Sequence, residues 1–155
     1  MRGQTTLDFG IGAGVFLLGV VFLLTFAPST LLPFVDGTQE HPVVSDRAAD
    51  RLANDELAAP DRPSTLDTAT TIAFFEAGNP AGRVGVDGDR YDIEVELRAG
   101  GDRLCWDDNA REVTTTNCNV EFVAGDDPAG ADAVTLSRRG VTVGARQAQL
   151  VVRVW

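Results

Sequence analysis

Lysine is absent from the 155 residues, so all 13 basic side chains are arginine. Histidine occurs once, as His41, and cysteine twice, as Cys105 and Cys118. These shortages exclude much chemistry. His41 has no cysteine or second histidine at ligand spacing, so it reads as a loop residue and not a metal ligand. Neither the serines nor Cys105 has a histidine base. Gly82, Gly85 and Gly88 are evenly spaced, but no helix N-terminus follows to cradle a phosphate. Asp87, Asp89 and Asp92 lie close together in "DGDRYDIE", yet they lack the spacing, central glycine and terminal Glu of a calcium loop. Asp87-Gly88 reads as a hairpin turn. Asp107-Asp108 and Asp126-Asp127 read as solvated loop carboxylates. The expectation is a protein that is not an enzyme, with no metal and no cofactor.

Positive charge is scarce overall. There are 23 acids against 13 arginines, a net charge of −10. Such a surface repels nucleic acid, and the one basic doublet, Arg138-Arg139, is too small a patch to reverse that. Acid excess without lysine resembles the composition of proteins from extreme halophiles. In molar salt the Debye length is ~3 Å, so carboxylates hydrate the surface without strong self-repulsion. GC-rich coding also replaces lysine by arginine, and composition does not separate the two causes.

Charge of either sign is missing from Phe9 to Val35, a run of 27 residues. Phe9 to Ala27 as a helix covers roughly 28 Å, near the ~30 Å core of a bilayer. The expectation is a transmembrane helix with an interfacial segment over 4–35, ending near Pro28 and Pro33. A secretory signal peptide would instead place charges before a shorter apolar core and a small-residue cleavage site. Asp8 sits at the edge of the run, either as a flanking charge at the water interface or as a carboxylate that needs a partner.

The segment "RGQTTLDF" followed by an apolar helix resembles the class III signal peptide of haloarchaeal type IV pilin-like proteins. In that family a prepilin peptidase cuts after a basic-Gly dipeptide. The resemblance implies a leader of residues 1–3 cut between Gly3 and Gln4. It makes Asp8 the fifth mature residue, the position whose acid pairs with the N-terminal amine of a neighbouring subunit. This leader is short for the family, with one Arg. Gly10 and Gly14 form a small-xxx-small pair that would let helices approach closely; glycine is also simply common in membrane helices. The implied function is a membrane-anchored subunit of a surface filament or envelope complex. Its partners would be the membrane, the peptidase and other pilin-like subunits. The alternative is an uncleaved, single-span binding or receptor module.

Arg2 is the one basic residue near the N-terminal side, which places that end in the cytoplasm and the C-terminal domain outside the cell membrane. Disulfides persist there. A Cys105–Cys118 bridge would add ~3 kcal/mol; two separately buried thiols are the alternative.

Further along, Ser45 reads as the N-cap of a short amphipathic helix, with Arg51 and Asp55 spaced to pair. Pro60 and Pro63 end it. Residues 64–77 carry both helical and β signals, and a helix capped by Ser64 and Asp67 is expected. Then the period changes to two. Tyr91, Ile93, Val95 and Leu97 alternate with Asp92, Glu94, Glu96 and Arg98, a strand with one wet carboxylate face. Short strands follow around Cys105, near 119–125, on both sides of Arg139-Gly140, and from 148 to Trp155. The fold class expected is α+β: a transmembrane helix, one or two short helices, then a small, mainly antiparallel β head. The divisions expected are 1–3, 4–35, a helical stalk over 36–63, and an extracellular head over 64–155.

Overall fold

The computed structural model describes the backbone of residues 4–31 and 40–155, and the side chains of 9–25 and 41–155. The chain divides into two units, 1–39 and 40–155. In the first, helix α1 runs Gln4–Leu31. Pro28 does not end it. The proline lies in the last turn, where a missing N–H costs one intrahelical bond. From Phe9 to Leu24 the large apolar side chains are exposed, Phe9 by 78% and Leu24 by 69%.

The transmembrane expectation is corrected. Among the described residues no helix is long and apolar enough to cross a membrane.

The second unit is an α+β body. Helix α2 (Glu40–Arg51) leads into a π-helical turn, Leu52–Glu56. Strands β1 (Ala58–Ala59) and β2 (Arg62–Leu66) precede helices α3 (Thr68–Ala77) and α4 (Pro80–Val84). Then come β3 (Ile93–Ala99), β4 (Asp102–Arg103), β5 (Cys105–Asp107), β6 (Glu112–Thr114), β7 (Val120–Glu121), β8 (Val123–Gly125), β9 (Thr135–Val143) and β10 (Arg146–Val154). The main sheet has the order β1-β2-β9-β10-β3-β4, with β8 also on β3. Its pairings are antiparallel except β2 with β9. A small second sheet has the order β6-β5-β7.

Alternation decides what is buried. Ile93, Val95 and Leu97 of β3, Leu150, Val152 and Val154 of β10, and Val141 and Val143 of β9 share one hydrophobic cluster with Ala48, Ala49 and Leu52 of the α2 segment. Alanines on α2 let its backbone come close to the sheet. Phe122 stacks on Phe75 at 5.1 Å, and Phe75 meets Phe74 edge-on at 5.2 Å. Two glycines are dictated by backbone. Gly144 takes φ +60° in the β9–β10 turn, and Gly125 takes φ +98° where a Cβ would lie 1.9 Å from the Ile93 carbonyl oxygen.

Several boundaries differ from expectation. α2 starts at Glu40, so Ser45 is no N-cap; its buried hydroxyl donates to the Pro42 carbonyl at 3.1 Å. His41 lies in the first turn of α2 and meets Tyr91 edge-on at 5.4 Å. The π turn shifts the helical register, and Glu56, which an α-helical wheel assigns to the apolar side, pairs with Arg83 at 2.7 Å. The body includes α2, β1 and β2, which the expected 36–63 stalk set apart. Gly140 does not turn the chain; β9 runs through it, pairing it with Gln149. Asp87-Gly88 lies in a turn between α4 and β3 instead of between two strands.

Residues 62–66 are strand, and helix α3 begins only after Asp67. Asp67 is the N-cap by itself, accepting from the Thr70 amide and hydroxyl, each at 2.8 Å. These bonds hold its carboxyl below the ordinary 3.8. Asp67→Ala should therefore cost about 1 kcal/mol of body stability in a urea melt, with Asp67→Asn losing less. Equal losses would deny the cap its role.

Candidate functional site

The strand face expected to be wet is dry at its centre, and only its ends, Asp92 and Arg98, reach solvent. Glu94 and Glu96 are both buried, Glu96 completely. They project from β3 on the side opposite the hydrophobic cluster, where β10 brings Arg153 alongside. Arg153 donates to Glu94 through Nη1 and to Glu96 through Nη2, the latter at 2.6 Å. Arg98 donates to Glu96 at 3.0 Å, and Arg103 of β4 at 3.4 Å. Arg103 also reaches Glu121 at 3.5 Å. Three guanidinium groups thus surround one carboxylate. Burial alone would raise the pKa of Glu96, but the bonds from Arg153 and Arg98 outweigh it and hold the pKa below the ordinary 4.5. Burial would likewise lower that of Arg153, and the two glutamates raise it instead. Glu96 is therefore ionised at neutral pH and fully engaged, which rules it out as a general acid.

Beside this network lies a polar groove of about 740 Å³, lined by Arg98, Arg138, Gln147, Gln149 and Arg153. A second groove, of about 580 Å³, runs between α2 and β9. Pro42, Val43, Thr135 and Leu136 supply its apolar lining, and Arg47, Asp46, Asp50 and Arg139 its charge. Here the two acids are engaged. Arg139 pairs with Asp46 at 3.0 Å and Asp50 at 3.6 Å, and Ser137 donates to Asp46 at 2.8 Å. The bonds from Ser137 and Arg139 lower the Asp46 pKa below 3.8.

The residues singled out from sequence lie elsewhere. Gly3 is outside the described residues. Gln4 opens α1 and Asp8 lies within it, but their side chains are outside the described set. Gly10 and Gly14 face open space, with nothing within 4 Å of an added Cβ. Cys105 and Cys118 form a disulfide with a Cα separation of 5.4 Å. Asp107 is not a solvated loop acid. It is buried and accepts from the Asn109 and Ala110 amides at 2.8 and 3.1 Å. Among the described residues no three metal-ligating side chains gather. Sequence reasoning missed the Glu94–Glu96–Arg153 network. Its one visible sign was Arg153, a single charge inside the apolar run that ends the chain.

The chain matches DUF7287, a family of unknown function, over residues 1–155, and belongs to it. No curated protein and no solved structure matches it.

Proposed function

We propose that this member of the DUF7287 family is a non-enzymatic, pilin-like subunit of a cell-surface filament or envelope complex, in which α1 packs against the α1 helices of other subunits. The observation that carries this reading is the exposure of α1. Phe9, Ile11, Val15, Phe16, Leu18, Val21, Phe22 and Leu24 point to all sides of one helix and are each more than half exposed. An all-round apolar helix needs all-round apolar cover, which a bundle of like helices supplies. Gly10 and Gly14, with open space beside them, allow a close approach. The resemblance of "RGQTTLDF" to a class III leader adds processing between Gly3 and Gln4 by a prepilin peptidase. It also assigns Asp8 to the new amine of a neighbour. The Cys105–Cys118 bridge suits a body held outside the cytoplasm.

Intact mass of the protein expressed with and without an archaeal prepilin peptidase tests the reading. The expected result is loss of Met1 to Gly3 only with the peptidase. In the same cells Asp8→Ala should abolish sheared, sedimenting assemblies while the body keeps its circular dichroism spectrum. A full-length mass in both cases, with a monomeric chain, would overturn the subunit reading in favour of a binding module.

A further inference from the structure

Among the described residues the β9 edge is unpaired over most of its length. β2 takes it up only at Thr142 and Val143. Asp92 and Trp155 exchange both backbone bonds between β3 and β10, at 3.0 and 3.2 Å. Antiparallel ladders alternate, so β10 turns the backbone groups of Val154, Val152 and Leu150 toward β9. Their partners Thr135, Ser137 and Arg139 face back. Leu136, Arg138 and Gly140 therefore direct their N–H and C=O groups outward. Arg139 Nη1 covers one of these, the Arg138 carbonyl, at 3.2 Å.

We propose that this edge accepts an added β-strand: an extended segment of a partner polypeptide that alternates aliphatic and acidic side chains. Main-chain bonds to Leu136, Arg138 and Gly140 would supply the affinity, as in other strand additions. The flanks supply the selectivity. On the α2 side the groove presents Pro42 and Val43, with Val43 49% exposed, while Leu136, 42% exposed, shares the other face with Arg138. Charge names the occupant. Among the described residues no carboxylate lies within 4 Å of the guanidinium of Arg47 or Arg138, because Asp46 and Asp50 are already held by Arg139. Two uncompensated cations thus flank the edge of a protein whose net charge is −10. A second copy of β9 is disfavoured, since pairing two such edges brings like charges together. This site is independent of the assembly assigned to α1.

The probe is a fluorescein-labelled heptapeptide, TVEVDVT, titrated into the full-length chain in mild detergent. A matched peptide carries N-methyl groups on the amides of alternate residues. The unmodified peptide should bind and slow hydrogen exchange at the Leu136 and Arg138 amides. N-methylation on the bonding side should abolish binding, and Arg138→Glu should weaken it at least tenfold. Arg138 is exposed, so that variant keeps the fold. Equal binding of both peptides, or unchanged exchange at Leu136 and Arg138, would overturn strand addition. Cross-linking of Leu136→Cys between copies without peptide would show that a second chain occupies the edge, and would equally refute the proposal.

Discussion

Glu96→Gln should destabilise the body by about 3–5 kcal/mol, read as a lower midpoint in urea at pH 7. The size follows from what is left behind. Arg153 keeps only Glu94, and Arg98 only the Gly101 carbonyl, beside a buried site that no longer carries the second compensating charge, and Arg153 is itself largely buried, with 22% of its side chain exposed. The loss is greater than the net worth of the ion pair, because removing one partner leaves the other's desolvation uncompensated. Replacing the buried members together, as Glu94→Leu and Glu96→Leu with Arg153→Met, should recover part of the loss, since well-packed apolar groups often replace a buried ionic cluster at little cost. The acid limb gives a second readout. The folded pKa of Glu96 lies below its ordinary 4.5. Its contribution is therefore complete above that value and disappears as pH falls through the lower folded value. Glu96→Gln should flatten the fall in stability across this acid window. A midpoint within about 1 kcal/mol of wild type and an unaltered acid limb would refute the role given to Glu96.

What was legible in the sequence follows from the range of each signal. Period-two alternation located β3 and assigned Ile93, Val95 and Leu97 to the core face, as the structure has them. It says which residues share a face, but not what covers the other one. The cover for Glu96 comes from Arg153, 57 residues later, and a strand pattern holds no information on that pairing. The same limit hides the edge groove, where the Asp46–Ser137 bond joins positions 91 residues apart. Local errors have local causes. Ser45 is a good capping residue type, but its hydroxyl turned back to Pro42 inside a helix already begun. Arg139-Gly140 resembles a turn, yet pairing with β10 on one side carried the strand through it. The α1 run was visible as apolar and helical, whereas its span of a membrane was inferred from length and is not supported by the described residues.

Reducing the Cys105–Cys118 bridge should lower body stability by ~3 kcal/mol, the loop-closure value for a sequence separation of 13. For a body of this size that corresponds to a fall of roughly 10–15 °C in melting temperature. The reason lies in the strands the bridge serves. β5 and β6 have three residues each and β7 has two. Strands so short offer few ladder bonds against the entropy of ordering the turn from Asp107 to Asn117. Cys105 is 1% exposed and its neighbour Leu104 is in the core, and the bridge joins β5 to the segment that enters β7, closing the small sheet on itself. Loss should begin locally, with protease cleavage between Asn109 and Asn117 preceding global unfolding. The double variant Cys105→Ser, Cys118→Ser should match the reduced wild type or melt slightly lower, because the first of these changes buries a hydroxyl in place of sulfur. A melting temperature unmoved by reduction, with free thiols confirmed by mass, would assign the stability of β5–β7 to packing around Trp106 and Phe122. If reduction does lower the melting temperature, the body is more stable in an oxidising compartment than in a reducing one.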